Sequence, residues 1–136
     1  MIRKKIRLPM FSRGAHIISG TIFDSLPEIR SVDCGMLNLF LQHTSAALSI
    51  NENADPNVPI DLDMAMAKIV PENWPYEHDD EGPDDMPAHV KSTLAGVSLN
   101  IPVENGHCLL GTWQGIYLLE FRRAPHSRTV IATLQG

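Results

Sequence analysis

Apolar positions recur along the chain with two different periods, and the switches between them divide it into elements. Residues 3–8 alternate, with Ile6 and Leu8 set among Lys and Arg, which predicts a half-exposed strand; residues 15–18 predict a second, shorter one. Ile22, Leu26 and Ile29 then recur at helical spacing behind Ser19 or Thr21 as caps, and Pro27 confines or kinks that helix. The run GMLNLFLQH from 35 to 43 is nearly continuous in apolar residues, so it predicts a strand covered on both faces that ends at a polar site. Asn51, Glu52, Asp55 and Pro56 interrupt the pattern that follows. A helix is predicted from about 60 through 70, with Leu62, Met66, Ile69 and Val70 on one face and Pro71 ending it. Asp84 or Asp85 caps a further helix that holds Pro87 in its first turn, turns Met86, Val90 and Leu94 inward, and ends at Gly96. Strands are predicted at 97–103, 108–110, 114–122 and 129–134, separated by turn signals at 104–106 and 124–125. Strands at both ends with two or three helices between them predict an α+β fold: a mainly antiparallel, jelly-roll-like β-sandwich forming a single domain over 1–136.

Charge adds one feature that the pattern does not contain. The net charge is -5, from 11 Lys plus Arg and 16 Asp plus Glu, yet seven of those acids fall between 72 and 85, where there is no Lys or Arg. The remaining nine acids face eleven bases, so the acidity belongs to one loop. A concentrated acidic segment carrying its own His78 is either solvated or a site for a cation. The length is too short for a (β/α)8 barrel, which takes about 200 residues or more. Hydrophobic content of 43% argues against disorder. No window holds the roughly 18 apolar residues of a membrane span, and the N-terminus lacks the pattern of a secretory signal, so the expected location is cytoplasmic. Cys34 and Cys108 lie in apolar stretches and are expected to be buried thiols rather than a disulfide.

Imidazole is the commonest metal ligand, and three of the six His stand in suggestive company. His43 leaves the apolar strand beside Thr44 and Ser45, His78 lies inside the acidic loop, and His89 lies in the first turns of the helix after it. Three His and a carboxylate cluster are the donor set of a divalent site with an open position, although their spacing matches no zinc signature. Glu52 and Asp55 follow His43 closely enough to line one cleft with it, or they are turn chemistry around Pro56. His16, His107 and His126 are read as surface residues. Gly111 to Gly115, which contains Thr112, Trp113 and Gln114, predicts either backbone that approaches a polar ligand closely or a β-bulge packing Trp113 into the core. Arg122, Arg123, His126, Ser127 and Arg128 gather at the last turn, where they hold phosphate or form a solvated rim. With no basic stripe and only 6% aromatic residues, a nucleic-acid partner is not expected.

These residues resemble one known family. The blocks LQHTSAALSINENADP (41–56), YEHDDEG (76–82), DDMPAHVKS (84–92), GTWQGIY (111–117) and VIATLQG (130–136) are similar, in the same order, to those of the YjbQ family. The resemblance implies a sandwich-like α+β domain that assembles as a homotrimer, with a pocket for a metal or anion near the subunit boundary. It also implies a secondary thiamine-phosphate synthase activity, which joins hydroxymethylpyrimidine diphosphate to thiazole phosphate with loss of pyrophosphate. Carried over residue by residue, the pocket comprises His43, Thr44, Ser45, Asn51, Glu52, His78, Asp85 and His89, with Gly111, Thr112, Trp113 and Gln114 on a facing strand. The expected roles are a divalent metal, zinc or magnesium, on His43, His78 and His89, with Glu52 and Asp85 as catalytic carboxylates. Thr44, Ser45, Asn51, Gln114, Arg122 and Arg128 are expected to bind a small phosphorylated metabolite. The competing expectations are a trimer that binds such a ligand without turnover and a metal-dependent hydrolase.

Overall fold

In the computed structural model, which describes residues 1–136, the predicted alternation becomes two antiparallel sheets packed face to face. The larger has the order β1–β8–β3–β5–β6, from β1 (Ile2–Phe11), β3 (Cys34–Leu41), β5 (Ser98–Glu104), β6 (His107–Cys108) and β8 (His126–Gln135). The smaller has the order β2–β7–β4, from β2 (Gly14–Ile17), β4 (Ala46–Glu52) and β7 (Gln114–Glu120). Because side chains alternate along a strand, Leu37, Leu39 and Leu41 of β3 and Val130, Ala132 and Leu134 of β8 all enter one layer. There they meet Leu48 of β4 and Ile116 and Leu118 of β7.

A third layer covers the other face of the smaller sheet. Helix α3 (Asp85–Ala95) packs on β4 and helix α2 (Asn57–Ile69) on β2, over Ala47, Tyr117, Leu119 and Phe121. Helix α1 (Ser19–Ser25) and a 3₁₀ turn (Pro27–Ser31) close one end of the main core with Ile22, Leu26 and Ile29. Pro27 separates these two, as its fixed φ and missing N–H require. The α+β sandwich with three helices is therefore the observed fold.

Several local expectations change. Strand β3 is covered on one face only: Met36 and Phe40 point outward and are exposed, because no helix lies over the five-stranded sheet. Helix α3 buries Ala88, Lys91 and Ser92 rather than Leu94, which is 62% exposed, and α2 leaves Ile69 exposed while the residue that follows it, Val70, is buried. Neither expected side-chain cap forms. Ser19 Oγ instead accepts the Ile116 N–H at 2.8 Å, and Asp84 Oδ2 accepts the Arg123 N–H at 2.9 Å. Cys34 is exposed and Cys108 half-buried, and both are free thiols. The turn between β5 and β6 is as predicted, with Asn105 and Gly106 at φ 50° and 80° in the left-handed conformations of a type I′ hairpin.

One polar pair sits inside the sandwich. Glu120 ends β7 pointing into the core layer, where Arg128 of β8 meets it with two hydrogen bonds of 2.6 Å, Nε to Oε1 and Nη2 to Oε2. Both are buried, and Arg128 Nη2 also donates to Ser45 Oγ at 2.9 Å. Removing one partner leaves a buried charge unpaired, which costs about 3–5 kcal/mol, whereas replacing both with apolar residues is close to neutral. Urea denaturation is expected to show Glu120→Ala destabilised by about that amount and the Glu120→Leu/Arg128→Met double variant restored to near the wild-type value.

Candidate metal centre

The first turn of α3 lies beneath the acidic loop, and four side chains converge there. Asp85 and His89, four residues apart on one helix face, are joined by His78 and Glu81 from the loop. One donor atom from each of the four lies within 4.8 Å of the others. Asp85 Oδ2 is 2.7 Å from His78 Nε2 and 3.2 Å from His89 Nε2, and Glu81 Oε2 is 3.3 Å from His78 Nε2. Asp85 is buried, whereas His78 is open to solvent.

The orientation of His89 bears on what this centre could hold. Its Nδ1 lies 2.8 Å from the backbone carbonyl of Thr44. A carbonyl only accepts, so Nδ1 carries the proton and Nε2 of the neutral ring presents a lone pair. That lone pair faces the Asp85 carboxylate at 3.2 Å. Two electron-rich atoms held this close need a cation: a second proton on the ring or a metal ion. An imidazole whose far nitrogen donates to a carbonyl is also the usual arrangement of a metal-bound histidine. Two imidazoles and two carboxylates suit zinc or another borderline divalent ion better than magnesium, which prefers oxygen donors.

Arg122 holds the centre from behind. Its Nη1 donates to Asp85 Oδ1 at 2.6 Å and its Nη2 to the Glu81 carbonyl at 2.9 Å. Its Nε is buried without a hydrogen bond, 3.3 Å from Asp84 Oδ2. Burial pushes the Asp85 carboxyl upward, but its hydrogen bond with His78 and the Arg122 charge outweigh it and hold Asp85 below the ordinary range. The same hydrogen bond to Asp85 raises His78, against a smaller effect of desolvation.

The other expected site residues lie elsewhere. His43 Nε2 accepts the Thr129 N–H at 2.8 Å, so its lone pair is already used, and burial and the nearby Arg128 charge push its pKa down. His43 is a structural histidine at the strand end and takes no place in the cluster. Arg128 is committed to Glu120 and Ser45 Oγ to Arg128, so neither is free for phosphate, and Thr44 contributes its backbone carbonyl. Asn51, Glu52 and Gln114 pair across the far end of β4 and β7. Six residues of strand separate Glu52 from Ala46, the end nearest the cluster, a span of about 20 Å. One chain therefore does not bring Glu52 to the histidines. Gln114 closes its own turn, accepting the Gly111 N–H through Oε1 at 2.8 Å, and Trp113 is 64% exposed instead of packed in a bulge. At Gly115 the close approach is to Asn53, whose Cβ would lie 2.9 Å from an added Cβ. Glu81 was not singled out in the sequence; its signal was its place three residues after His78 in the acidic loop.

The His78–Asp85 contact stabilises the protein within a pH window. A histidine raised above its unfolded pKa contributes fully below the unfolded value and loses that contribution as pH rises through the folded value. A carboxylate held low contributes above its unfolded value and loses that as pH falls through the lowered one. The pair is thus strongest in mildly acidic solution, between the two. In chelator-treated protein followed by NMR, His78 is expected to titrate above the ordinary histidine range and to return downward in Asp85→Asn. Identical titration in both proteins would refute the pairing.

Comparison with known proteins agrees over the whole fold. Residues 4–136 match the family described as UPF0047 protein YjbQ-like. The UPF0047 protein YjbQ of Escherichia coli O157:H7 is 48% identical over 134 residues, covering 98% of this chain and 97% of that protein. Its counterpart in Salmonella typhimurium is 50% identical over the same length, with the same coverage. A crystal structure of a YjbQ/UPF0047 family protein from Clostridium acetobutylicum superposes with a TM-score of 0.82 at 34% identity, covering 99% of this chain and all of the other. A hypothetical protein from Aeropyrum pernix K1 gives a TM-score of 0.85 at 27% identity, covering 100% of this chain and 99% of the other. The chain belongs to the YjbQ-like UPF0047 family.

Proposed function

We propose that this protein is a metal-dependent enzyme acting on a small phosphorylated heteroaromatic substrate, with thiamine-phosphate synthesis as the reaction to test first. The observation that carries the metal reading is the His89 lone pair aimed at Asp85, with His78 and Glu81 completing a four-donor set. A divalent ion held by His78, Glu81, Asp85 and His89 would neutralise charge developing on a departing diphosphate. In the synthase reaction the thiazole nitrogen bonds to the pyrimidine methylene carbon as the carbon–oxygen bond to diphosphate breaks. The chain's own part is to fix the donors: Thr44 sets the His89 tautomer, and Arg122 locks the Asp85 carboxylate. A cleft of about 460 Å³ opens beside His78 and is walled by Trp74, Tyr76 and Met86, apolar surfaces on which a heteroaromatic ring can pack.

Purified protein is expected to carry or bind zinc. Asp85→Asn and His89→Ala should lose it, Arg122→Met should bind about 10–100-fold more weakly, and His43→Ala should keep it. Isothermal titration with zinc after chelation, read beside the rate of thiamine-phosphate formation, tests both parts. Undiminished zinc binding in Asp85→Asn and His89→Ala refutes the centre; zinc binding without any product refutes only the synthase reaction.

A homotrimer completes the proposal. The outer face of the five-stranded sheet, uncovered by helices and bearing exposed Met36 and Phe40, supports assembly through that surface. Sedimentation velocity at micromolar concentration is expected to give a trimer, with Phe40→Glu shifting it to monomer; a wild-type monomer would contradict the assembly.

A further inference from the structure

A second polar feature of α3 has no part in the metal centre. Lys91 is only 4% exposed, yet its ammonium makes no ion pair and no hydrogen bond with any group of the chain. The Phe121 ring lies beneath it, with its centroid 5.0 Å from Nζ. The carboxylates nearby are each engaged by an arginine. Glu72 is bound by the Arg123 guanidinium, and Asp84 accepts the Arg123 N–H at 2.9 Å beside Arg122. Asp63 pairs with Arg13 at 3.3 Å. Lys91 is therefore a largely buried lysine with no carboxylate in bonding contact, for Asp63, Glu72 and Asp84 act on it only from a distance, and such an ammonium is costly to leave without a partner.

The ammonium does not face solid core. It lines a cleft of about 320 Å³ that also contains Arg13, Val70, Glu72, Asp84 and Phe121. This volume suits a small ligand, and the cleft presents three ammonium donors with no protein acceptor within hydrogen-bond distance, its carboxylates Glu72 and Asp84 being engaged by Arg123 and Arg122. The cleft lies across Pro87 from the one beside His78, since Glu72 and Pro87 line both. We infer that this cleft is an oxyanion site in which Lys91, assisted by Arg13, binds a phosphate or carboxylate group. The site is independent of the metal reading, because none of the four metal donors lines it. An oxyanion supplies the missing acceptors and the missing charge together, by charge-assisted hydrogen bonds to Lys91.

The test uses the full chain with EDTA present, so that no metal can capture the anion. Inorganic phosphate and acetate are titrated separately and followed by calorimetry and by backbone amide shifts. Saturable binding of either anion is expected, with shifts centred on Lys91 and Phe121, and the tighter of the two names the ligand class. Lys91→Met should weaken binding at least tenfold, and Arg13→Gln should weaken it measurably if Lys91→Met does not fold. His78→Ala should bind as wild type does, which separates failure here from failure of the metal centre. The inference is overturned if neither anion binds at millimolar concentration, if affinity is unchanged in the folded Lys91 or Arg13 variants, or if the shifts centre on His78.

Discussion

The buried Glu120–Arg128 pair ties the two sheets to the site. Glu120 belongs to the smaller sheet and Arg128 to the larger, so their bidentate contact fixes the two layers relative to each other at one end of the sandwich. Glu120 Oε2 also accepts the Arg122 N–H at 3.1 Å, which aims the chain leaving β7 toward α3. Arg122 then grips Asp85, and Asp85 meets His78 and His89. The links from Arg128 through Glu120 and Arg122 to Asp85 are largely withdrawn from water, where electrostatic contacts are stronger and an orphaned partner costs more. The centre therefore inherits its geometry from the sandwich core and not from the acidic loop alone.

This changes the meaning of the chain's acidity. Of the seven acids between 72 and 85, Glu72 and Asp84 serve Arg122 and Arg123, while Asp85 and Glu81 face the two histidines. With Asp80 3.8 Å from His78 Nδ1, five of the seven therefore have specific partners within the fold. The loop is held by arginines from the β7–β8 turn, the basic group that looked like a phosphate rim in the sequence. Because those arginines are spent on the loop, the one cation left unpaired in this region is Lys91, which the sequence pattern gave no reason to separate from other helix-surface lysines.

Much of the architecture was legible because it follows from local rules. The period-2 runs gave the strands, Pro27, Pro71 and Gly96 marked ends, and Asn105-Gly106 specified its hairpin turn. Burial was less legible. The run from 35 to 43 is apolar on both faces, and nothing in it says that Met36 and Phe40 lack a covering layer. Likewise, α3 turns Lys91 inward and Leu94 outward against the order of hydrophobicity, because Phe121 and the small Ala47 and Ala88 set the contact. Within the site, Asp85 and His89 share a helix face by their spacing, and His78 was marked by its acidic surroundings.

The sequence by itself determined the layered α+β sandwich and the family, and it marked three histidines with a carboxylate cluster as a candidate centre. Alternation, breakers and motif blocks are local properties, and they survive folding. Only the tertiary structure decided which histidines come together: His43 is removed by the Thr129 N–H, a partner 86 residues away, and Glu81 is admitted by the fold of its loop. It likewise sent Glu52 and Gln114 to the far end of the smaller sheet and sank Arg128 into the core. Those outcomes depend on strand register and on which lone pairs are already occupied, both of which are set by pairing between distant segments.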